Sequence, residues 1–332
     1  MKRAVLAVLG LLAATLASRA QVQVDSVFFD ARGSFVTTVV PGAQPSATLT
    51  GDFLNFNAWG KITPSLSYRI RQNFRVPVYK EGNPLNGTEF LLLNWDINPR
   101  WSLNAGKLCT LVGSFEWDYT PIDVYYYNQF CNSVPEAYAL GGTVMYNLRP
   151  GQQLQLQASR SILSYGEEGH WALALGWIGS FAPWWHTLWA VTYLDDPYHH
   201  HMAWFGLGNR FLAGPFSLDL DLMYRRSLLP GVPSGPDASV SVKAAWQEGK
   251  WLFFVKGGGD YNDPGNVDGD DIPYDLVLAP GTRYVYAGGG VEYYPLGNKN
   301  LRLHTVGRWN NDSRVFTLSA GISFRLYMVK PH

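Results

Sequence analysis

The sequence predicts an all-β fold, a transmembrane antiparallel β-barrel of about 16 strands. Three observations predict it. Apolar and polar residues alternate over segments of about ten residues, the connections between segments alternate between short and long, and tryptophans gather beside the short connections. Only 16% of the 332 residues are charged and 15% are aromatic, which excludes a disordered chain. The formal net charge of zero gives no support to nucleic-acid binding.

The first twenty residues have the pattern of a secretory signal peptide. Lys2 and Arg3 give a positive start, an apolar run covers 4–17, and Ser18 and Ala20 supply small residues before a cleavage point. We therefore expect residues 1–20 to be removed on export and residues 21–332 to form a single barrel domain. No later stretch approaches the roughly 18 apolar residues that a membrane-spanning helix needs.

Alternation with a period of two residues is the main secondary-structure signal. In 216–225 one face carries Phe, Leu and Tyr while the other carries mainly Ser, Asp and Arg, and 152–159 and 316–325 alternate in the same way. The predicted strands are centred near residues 32, 56, 70, 93, 104, 142, 156, 174, 189, 206, 220, 242, 255, 288, 304 and 320. Because hydrocarbon cannot hydrogen-bond to the backbone, such strands must close into a cylinder. A barrel of about 16 strands leaves a water-filled lumen.

The connections between these segments fall into two sets. The short ones lie at 62–64, 98–100, 149–151, 181–183, 213–215, 248–249 and 295–299. The longer ones lie at 41–50, 76–88, 109–136, 162–169, 194–199, 226–236, 261–281 and 310–313. Short turns at one end and long loops at the other are typical of bacterial outer-membrane barrels, and an even strand count places both termini at the periplasmic end.

Tryptophan placement supports this orientation. Eight of the 13 tryptophans lie beside predicted short turns: Trp59, Trp95, Trp101, Trp177, Trp184, Trp185, Trp246 and Trp251. Indole rings favour the headgroup level, so this clustering predicts a girdle at one membrane surface. The alternative is a secreted β-sandwich that binds glycans through its tryptophans.

In the predicted strands, alternate side chains point inward and outward, and this alternation predicts that eight basic residues point into the lumen. They are Arg69, Arg71, Arg210, Arg225, Lys243, Lys256, Arg302 and Arg325. A cation that faced lipid at mid-membrane would cost about 2–4 kcal/mol, which favours the inward direction. Most acids fall in the long loops, so the lumen is expected to be richer in positive charge and to favour anions. The alternative is that lumen acids pair with these cations and no preference results.

Two basic residues do not fit the alternation of inward and outward side chains. Lys107 and Arg160 lie in predicted strands but fall on the wrong face. A backbone bulge or an interfacial position is needed to explain them.

The longest connection, residues 109–136, is called the third loop below. It has no Lys or Arg, four acids and many aromatic residues, so we expect it to fold inward and narrow the pore. The expected constriction residues are Glu116, Asp118, Tyr119, Asp123 and Tyr125. Cys109 and Cys131 bracket this loop and are a candidate disulfide, which would contribute about 3 kcal/mol. The alternative is two free buried thiols.

Four runs resemble a known family: DFLNFNAWGKITPSLSYRIRQNF (52–74), WSLNAGK (101–107), FEWDYTPIDVYYYNQFC (115–131) and AYALGGTVMYN (137–147). They are similar to the phosphate-selective porin O/P family, and most similar to its Bacteroidetes-type members. The resemblance is strongest over residues 50–150. It implies a homotrimeric outer-membrane porin with a constricting third loop and phosphate among its solutes.

The loop chemistry predicts a general diffusion pore. An acidic third loop opposite Arg69 and Arg71 would create a transverse field that admits ions of both signs, with a mild anion preference. No G-x-S-x-G, P-loop or H-E-x-x-H motif occurs, and we expect no enzyme activity, cofactor or metal site. The predicted location is the outer membrane of a Gram-negative cell, in contact with lipid and lipopolysaccharide. The alternative function is a structural or adhesive barrel with a plugged lumen.

Overall fold

The computed structural model describes residues 22–77, 80, 85–164, 166–230, 235–267, 277–312 and 314–331. The predicted signal peptide, residues 1–20, lies outside the described residues. The strands are β1 (Gln23–Val39), β2 (Ser46–Thr63), β3 (Leu66–Asn73), β4 (Thr88–Asp96), β5 (Trp101–Cys109), β6 (Tyr138–Arg149), β7 (Gln152–Arg160), β8 (Trp171–Ala182), β9 (Trp185–Asp195), β10 (His201–Ala213), β11 (Phe216–Ser227), β12 (Asp237–Glu248), β13 (Trp251–Asn262), β14 (Arg283–Tyr293), β15 (Leu301–Asn310) and β16 (Phe316–Val329). Each strand pairs antiparallel with the next in sequence, and β1 pairs with β16 to close the barrel.

The barrel prediction is confirmed strand by strand. Each of the 16 predicted centres falls inside one strand. The predicted long loop at 41–50 is wrong, because β1 and β2 have 17 and 18 residues and leave only residues 40–45 between them. The segment 46–50 contains two threonines, which favour strands, and it pairs with 34–38 of β1.

The wall has an apolar outer face and a more polar inner face. In β8, Leu173 and Leu175 are 51% and 57% exposed, whereas the intervening Ala174 is 2% exposed. Five of the tryptophans beside short turns are also exposed on the outside: Trp95, Trp101, Trp184, Trp246 and Trp251. An outward apolar band with aromatic residues at its edge is the pattern that a lipid-facing barrel wall requires.

The third loop, which spans residues 110–137 in the structure, folds into the barrel. It contains helix α1 (Phe115–Asp118), a 3₁₀ turn (Pro121–Asp123) and helix α2 (Gln129–Ser133). Ser114 caps α1 and Asn128 caps α2 by accepting backbone N–H groups, as small polar residues at helix starts commonly do. None of the described helices is long or apolar enough to cross a membrane.

An apolar cluster fills one side of the barrel at the long-loop end. Phe130 of α2 and Trp204 of β10 are both 0% exposed, and their ring centroids lie 5.1 Å apart. Leu163 and Leu278, from two other long loops, are equally buried in the same cluster. Apolar packing of this kind holds α2 against the β10 wall and leaves the open space along the opposite wall.

Lys107 is buried and ion-paired, and the glycine before it has an unusual backbone conformation. Gly106 has a φ of 135°, and a Cβ there would lie 2.0 Å from the Leu91 carbonyl oxygen. Only glycine accepts this backbone conformation readily. Lys107 itself is 5% exposed, and its Nζ lies 2.6 Å from Glu136. Arg160, at the end of β7, donates to the Glu167 carbonyl in the adjoining loop.

Candidate functional site

Two large cavities lie inside the barrel, one on each side of the third loop. The outer cavity, at the long-loop end, has a volume of about 660 Å³ and lies against β1, β2, β15 and β16. The inner cavity, at the short-turn end, has a volume of about 720 Å³ and is bounded mainly by strands from β10 to β16. Among the described residues, Tyr119 is the one that lines both cavities.

The start of the third loop is fixed to β10 and β11. Asp221 accepts hydrogen bonds from the Ser114 hydroxyl at 2.9 Å and from the backbone N–H groups of Phe115 and Glu116 at 2.9 and 2.8 Å. These N–H groups at the start of α1 have no partner within the helix, so the carboxylate supplies one. Beside them the loop backbone touches the wall directly, since a Cβ at Gly206 would lie 1.9 Å from the carbonyl oxygen of residue 112.

The middle of the loop is held by two arginines. The Arg32 guanidinium donates to the carbonyl oxygens of Ile122 and Val124 at 2.6 and 2.7 Å, and it lies 4.0 Å from the centre of the Tyr125 ring. Arg302 donates to Asp123 Oδ1 at 2.7 Å. Burial alone would raise the pKa of Asp123, but the Arg302 charge and the Thr120 hydroxyl bring that pKa below its usual value.

Strand β13 holds the loop near its start, at Glu116, and in its second half. Lys256 Nζ donates to Glu116 Oε1 at 2.7 Å and to the Tyr126 carbonyl at 2.6 Å. Asp260 accepts the Gln129 N–H at 2.9 Å. Together with the contacts to β1, β11 and β15, these bonds carry the loop across the whole lumen.

Six of the eight predicted lumen cations are ion-paired. The pairs are Arg71 with Glu89, Arg210 with Asp219 (2.6 Å), Arg225 with Asp237 (2.5 Å), Lys256 with Glu116 (2.7 Å), Arg302 with Asp123 (2.7 Å) and Arg325 with Asp30 (2.7 Å). Within the described part of the chain, Arg69 and Lys243 have no carboxylate partner. Arg69 lies 4.0 Å from the Phe90 ring and Lys243 lies 4.4 Å from the Tyr119 ring.

The expected constriction residues take different positions. Glu116 is 4% exposed under Lys256, so it holds the loop in place and does not face the bore as expected. Tyr125 is fixed between Arg32 and Phe254, whose ring stacks at 5.6 Å. Asp118 is exposed in the lumen, where Arg69 acts on it together with two other arginines. Of the groups expected to create the transverse field, Asp118 and Arg69 are the ones without an ion pair in the described chain, and the field itself stays a prediction.

The predicted disulfide is absent, because Cys109 and Cys131 are free thiols. Cys109 ends β5 opposite Tyr138, whereas Cys131 lies in α2 and packs against the apolar cluster around Trp204. The two cysteines bracket the loop in sequence, but in the structure each thiol packs in a different place: Cys109 at the end of β5 and Cys131 in the apolar cluster.

Alkylation of the unfolded protein before any reduction is expected to modify both cysteines. The reason is that neither thiol is consumed by a bond to the other. Intact mass after treatment with iodoacetamide in denaturant measures the number of labels. A chain that takes up label only after reduction would contradict the structure.

Several residues that position the loop were not predicted from the sequence, namely Arg32, Asp219, Asp221 and Asp260. Their inward direction was readable from strand parity, since Asp30 and Arg32 alternate with apolar residues in β1. Their role was not readable, because the loop atoms that they bind lie about 90 to 131 positions away.

Comparison with known proteins shows the fold. No family model matches this chain, and no curated protein matches it in sequence. The structure of Salmonella typhi OmpF in complex with daunomycin matches with a TM-score of 0.61 and 12% identity, covering 90% of this chain and 97% of that one. The anion-selective porin of Comamonas acidovorans matches with a TM-score of 0.61 and 9% identity, covering 93% and 100%. The trimer form of Vibrio cholerae OmpT matches with a TM-score of 0.56 and 10% identity, covering 91% and 99%.

These neighbours share the 16-stranded barrel with this chain. TM-scores of 0.56–0.61 establish a common architecture, and identities of only 9–12% leave the activity to be argued from the lumen. The resemblance to the phosphate-selective porin O/P family is not accompanied by a family match.

Proposed function

We propose that this chain is an outer-membrane pore for the passive diffusion of small hydrophilic solutes and ions, without catalytic residues or a cofactor. The observation that carries the proposal is the pair of cavities, about 660 and 720 Å³, inside a closed barrel with an apolar exterior. A closed cylinder is one of two architectures that satisfy every backbone group in hydrocarbon. The shared architecture with OmpF of Salmonella typhi supports the same function.

The surroundings of the pore follow from its surface. The outer apolar band meets lipid, the long loops meet lipopolysaccharide, and the short turns face the periplasm of a Gram-negative cell, which the chain reaches through a cleaved signal peptide at 1–20. We propose a homotrimer, which the trimer form of Vibrio cholerae OmpT supports.

The inner cavity favours anions. Its lining carries Lys243, Lys299, Arg302 and Arg325 against the acids Asp123 and Glu292. Of these cations, Lys243 and Lys299 have no carboxylate partner in the described chain, so their charge acts on passing ions. A lumen with excess fixed positive charge concentrates anions, and phosphate is one of the anions that we propose it admits. The anion-selective porin of Comamonas acidovorans has the same fold.

Replacement of Lys243 by glutamine is expected to weaken the anion preference. The Lys243 ammonium lines the inner cavity beside Tyr119 and has no ion pair to neutralise it, so its loss should lower the anion-to-cation permeability ratio about twofold. Reversal potentials across a planar bilayer in a KCl gradient measure this ratio. Lys250→Gln, at an exposed short turn, is the matched control and should leave the ratio unchanged. Strong cation selectivity of the unmodified protein would contradict the proposal.

The second candidate function is a structural or adhesive barrel. It is favoured by the anchors that tie the third loop to β1, β11, β13 and β15 across the lumen. A folded barrel that inserts into bilayers and carries no current would favour this second function.

A further inference from the structure

We propose that the side chain of Tyr119 is the partition between the two cavities and sets the upper size of the solutes that cross. This inference rests on the proposed pore function. The third loop supplies the partition, but within that loop the contacts single out one ring.

Tyr119 lies at the boundary of the two cavities. It directly follows α1, in a stretch whose residues line both spaces: Trp117 lines the outer cavity and Thr120 lines the inner one. No other described residue belongs to both linings. A solute that moves from one cavity to the other therefore passes the Tyr119 ring.

The ring is held at its far end by the barrel wall. The Tyr119 hydroxyl donates to Asp219 Oδ2 and accepts from Arg210 Nη2 at 2.6 Å. Arg210 and Asp219 are themselves joined at 2.6 Å across β10 and β11. Lys243 of β12 lies 4.4 Å from the ring centre, a distance at which an ammonium is attracted to an aromatic face.

A ring fixed at both ends gives an aperture of constant size. The backbone of Tyr119 belongs to the anchored loop, and the hydroxyl is held by a charge-assisted pair, which is stronger than a neutral hydrogen bond. Lys243, which has no carboxylate partner in the described chain, borders the same passage with positive charge. The solutes that suit this passage are small anions and small hydroxylated molecules.

The other loop tyrosines do not have this position. Tyr125, Tyr126 and Tyr127 line the outer cavity, and none of them lines the inner one in the described chain. Tyr126 is 4% exposed and donates to the Lys256 carbonyl at 3.0 Å, which makes it a packing residue. Tyr127 is half-buried at the outer cavity and provides a matched control.

The test compares the unmodified full chain with Tyr119→Ala, Tyr119→Phe and Tyr127→Ala. Single-channel conductance in KCl and swelling of loaded liposomes in a pentose, a hexose, a disaccharide and a trisaccharide are measured for each. We expect Tyr119→Ala to raise conductance at least about twofold and to raise disaccharide and trisaccharide entry most, since the aperture widens. Tyr119→Phe keeps the ring but loses the hydroxyl bonds to Asp219 and Arg210, so its increase should be smaller than that of Tyr119→Ala. Tyr127→Ala should match the unmodified protein.

The outcomes separate this inference from the pore function. Heat-modifiable migration on gels and β-sheet circular dichroism identify the variants that are folded. A conducting unmodified protein with an unchanged Tyr119→Ala variant, or with an equal increase in Tyr127→Ala, overturns the inference alone. If none of the four folded proteins conducts, the pore function is overturned, and this inference with it. A silent unmodified protein beside a conducting Tyr119→Ala variant overturns the pore function and the size limit together, because the ring would then close the passage.

Discussion

Replacement of Asp221 by alanine is expected to free the start of the third loop and to make the pore current larger and noisier. Asp221 is 5% exposed and accepts the Ser114 hydroxyl and the N–H groups of Phe115 and Glu116. Removal of the carboxylate leaves these donors without a protein partner, and a buried unsatisfied group costs about 1–3 kcal/mol. Lumen water can satisfy part of this loss, so we expect a total loss of about 1–3 kcal/mol in the free energy of unfolding.

Two measurements test this expectation. Urea unfolding of the detergent-folded barrel gives the change in free energy, and single-channel recording gives the mean current and its variance. Asp96→Ala is the matched control, because it removes an exposed carboxylate at the short-turn end, far from the loop. If the Asp221 variant unfolded at the same urea concentration and conducted as quietly as the unmodified protein, Asp221 would not be an anchor.

Arginine placed at Leu156 is expected to be costly, whereas arginine placed at Gln155 is expected to be tolerated. The two positions are neighbours in β7 and face opposite sides of the wall. Leu156 is 58% exposed on the outer face, near the middle of its strand. A cation there would enter hydrocarbon and lower the free energy of unfolding by about 2–4 kcal/mol. Gln155 hydrogen-bonds to Gln153 on the inner face, where water hydrates an added charge.

The pair of variants is best compared by reversible unfolding in phospholipid vesicles. Both variants add the same side chain to the same strand. General effects of charge and strand propensity therefore cancel in the difference between their free energies of unfolding. Equal costs for the two variants would mean that the outer face of β7 is not in lipid, and the membrane location would be wrong. If arginine at Gln155 alone lowered the free energy of unfolding strongly, the face of β7 assigned to the lumen would be the one in lipid.

The fold was predictable because its signals are local. Alternation and turn residues can be read within about ten positions, and they located every strand. Composition also predicted the inward third loop, since a segment with many aromatic residues and no Lys or Arg is unfavourable in water. The loop predicted at 41–50 was too long, because residues 46–50, which include two threonines, continue the pairing of β2 with β1.

The details of the lumen were less predictable because they depend on distant partners. Asp237 borders a predicted loop, yet it pairs with Arg225 at 2.5 Å across β11 and β12. Asp221 and Ser114 are 107 positions apart and meet only when the loop crosses the barrel. Lys107 pairs with Glu136, a loop residue 29 positions away, and the alternation of β5 does not include such a partner.

The pairing of β1 with β16 has a consequence for biogenesis. The seam joins residues such as Asp30 and Arg325, which are 295 positions apart and hydrogen-bonded at 2.7 and 2.8 Å. Contacts between such remote segments form slowly, and an N-terminal strand that waits for its partner exposes an unpaired edge that invites aggregation. A chaperone that shields β1 until the carboxyl-terminal strand is available would therefore limit the aggregation of this chain.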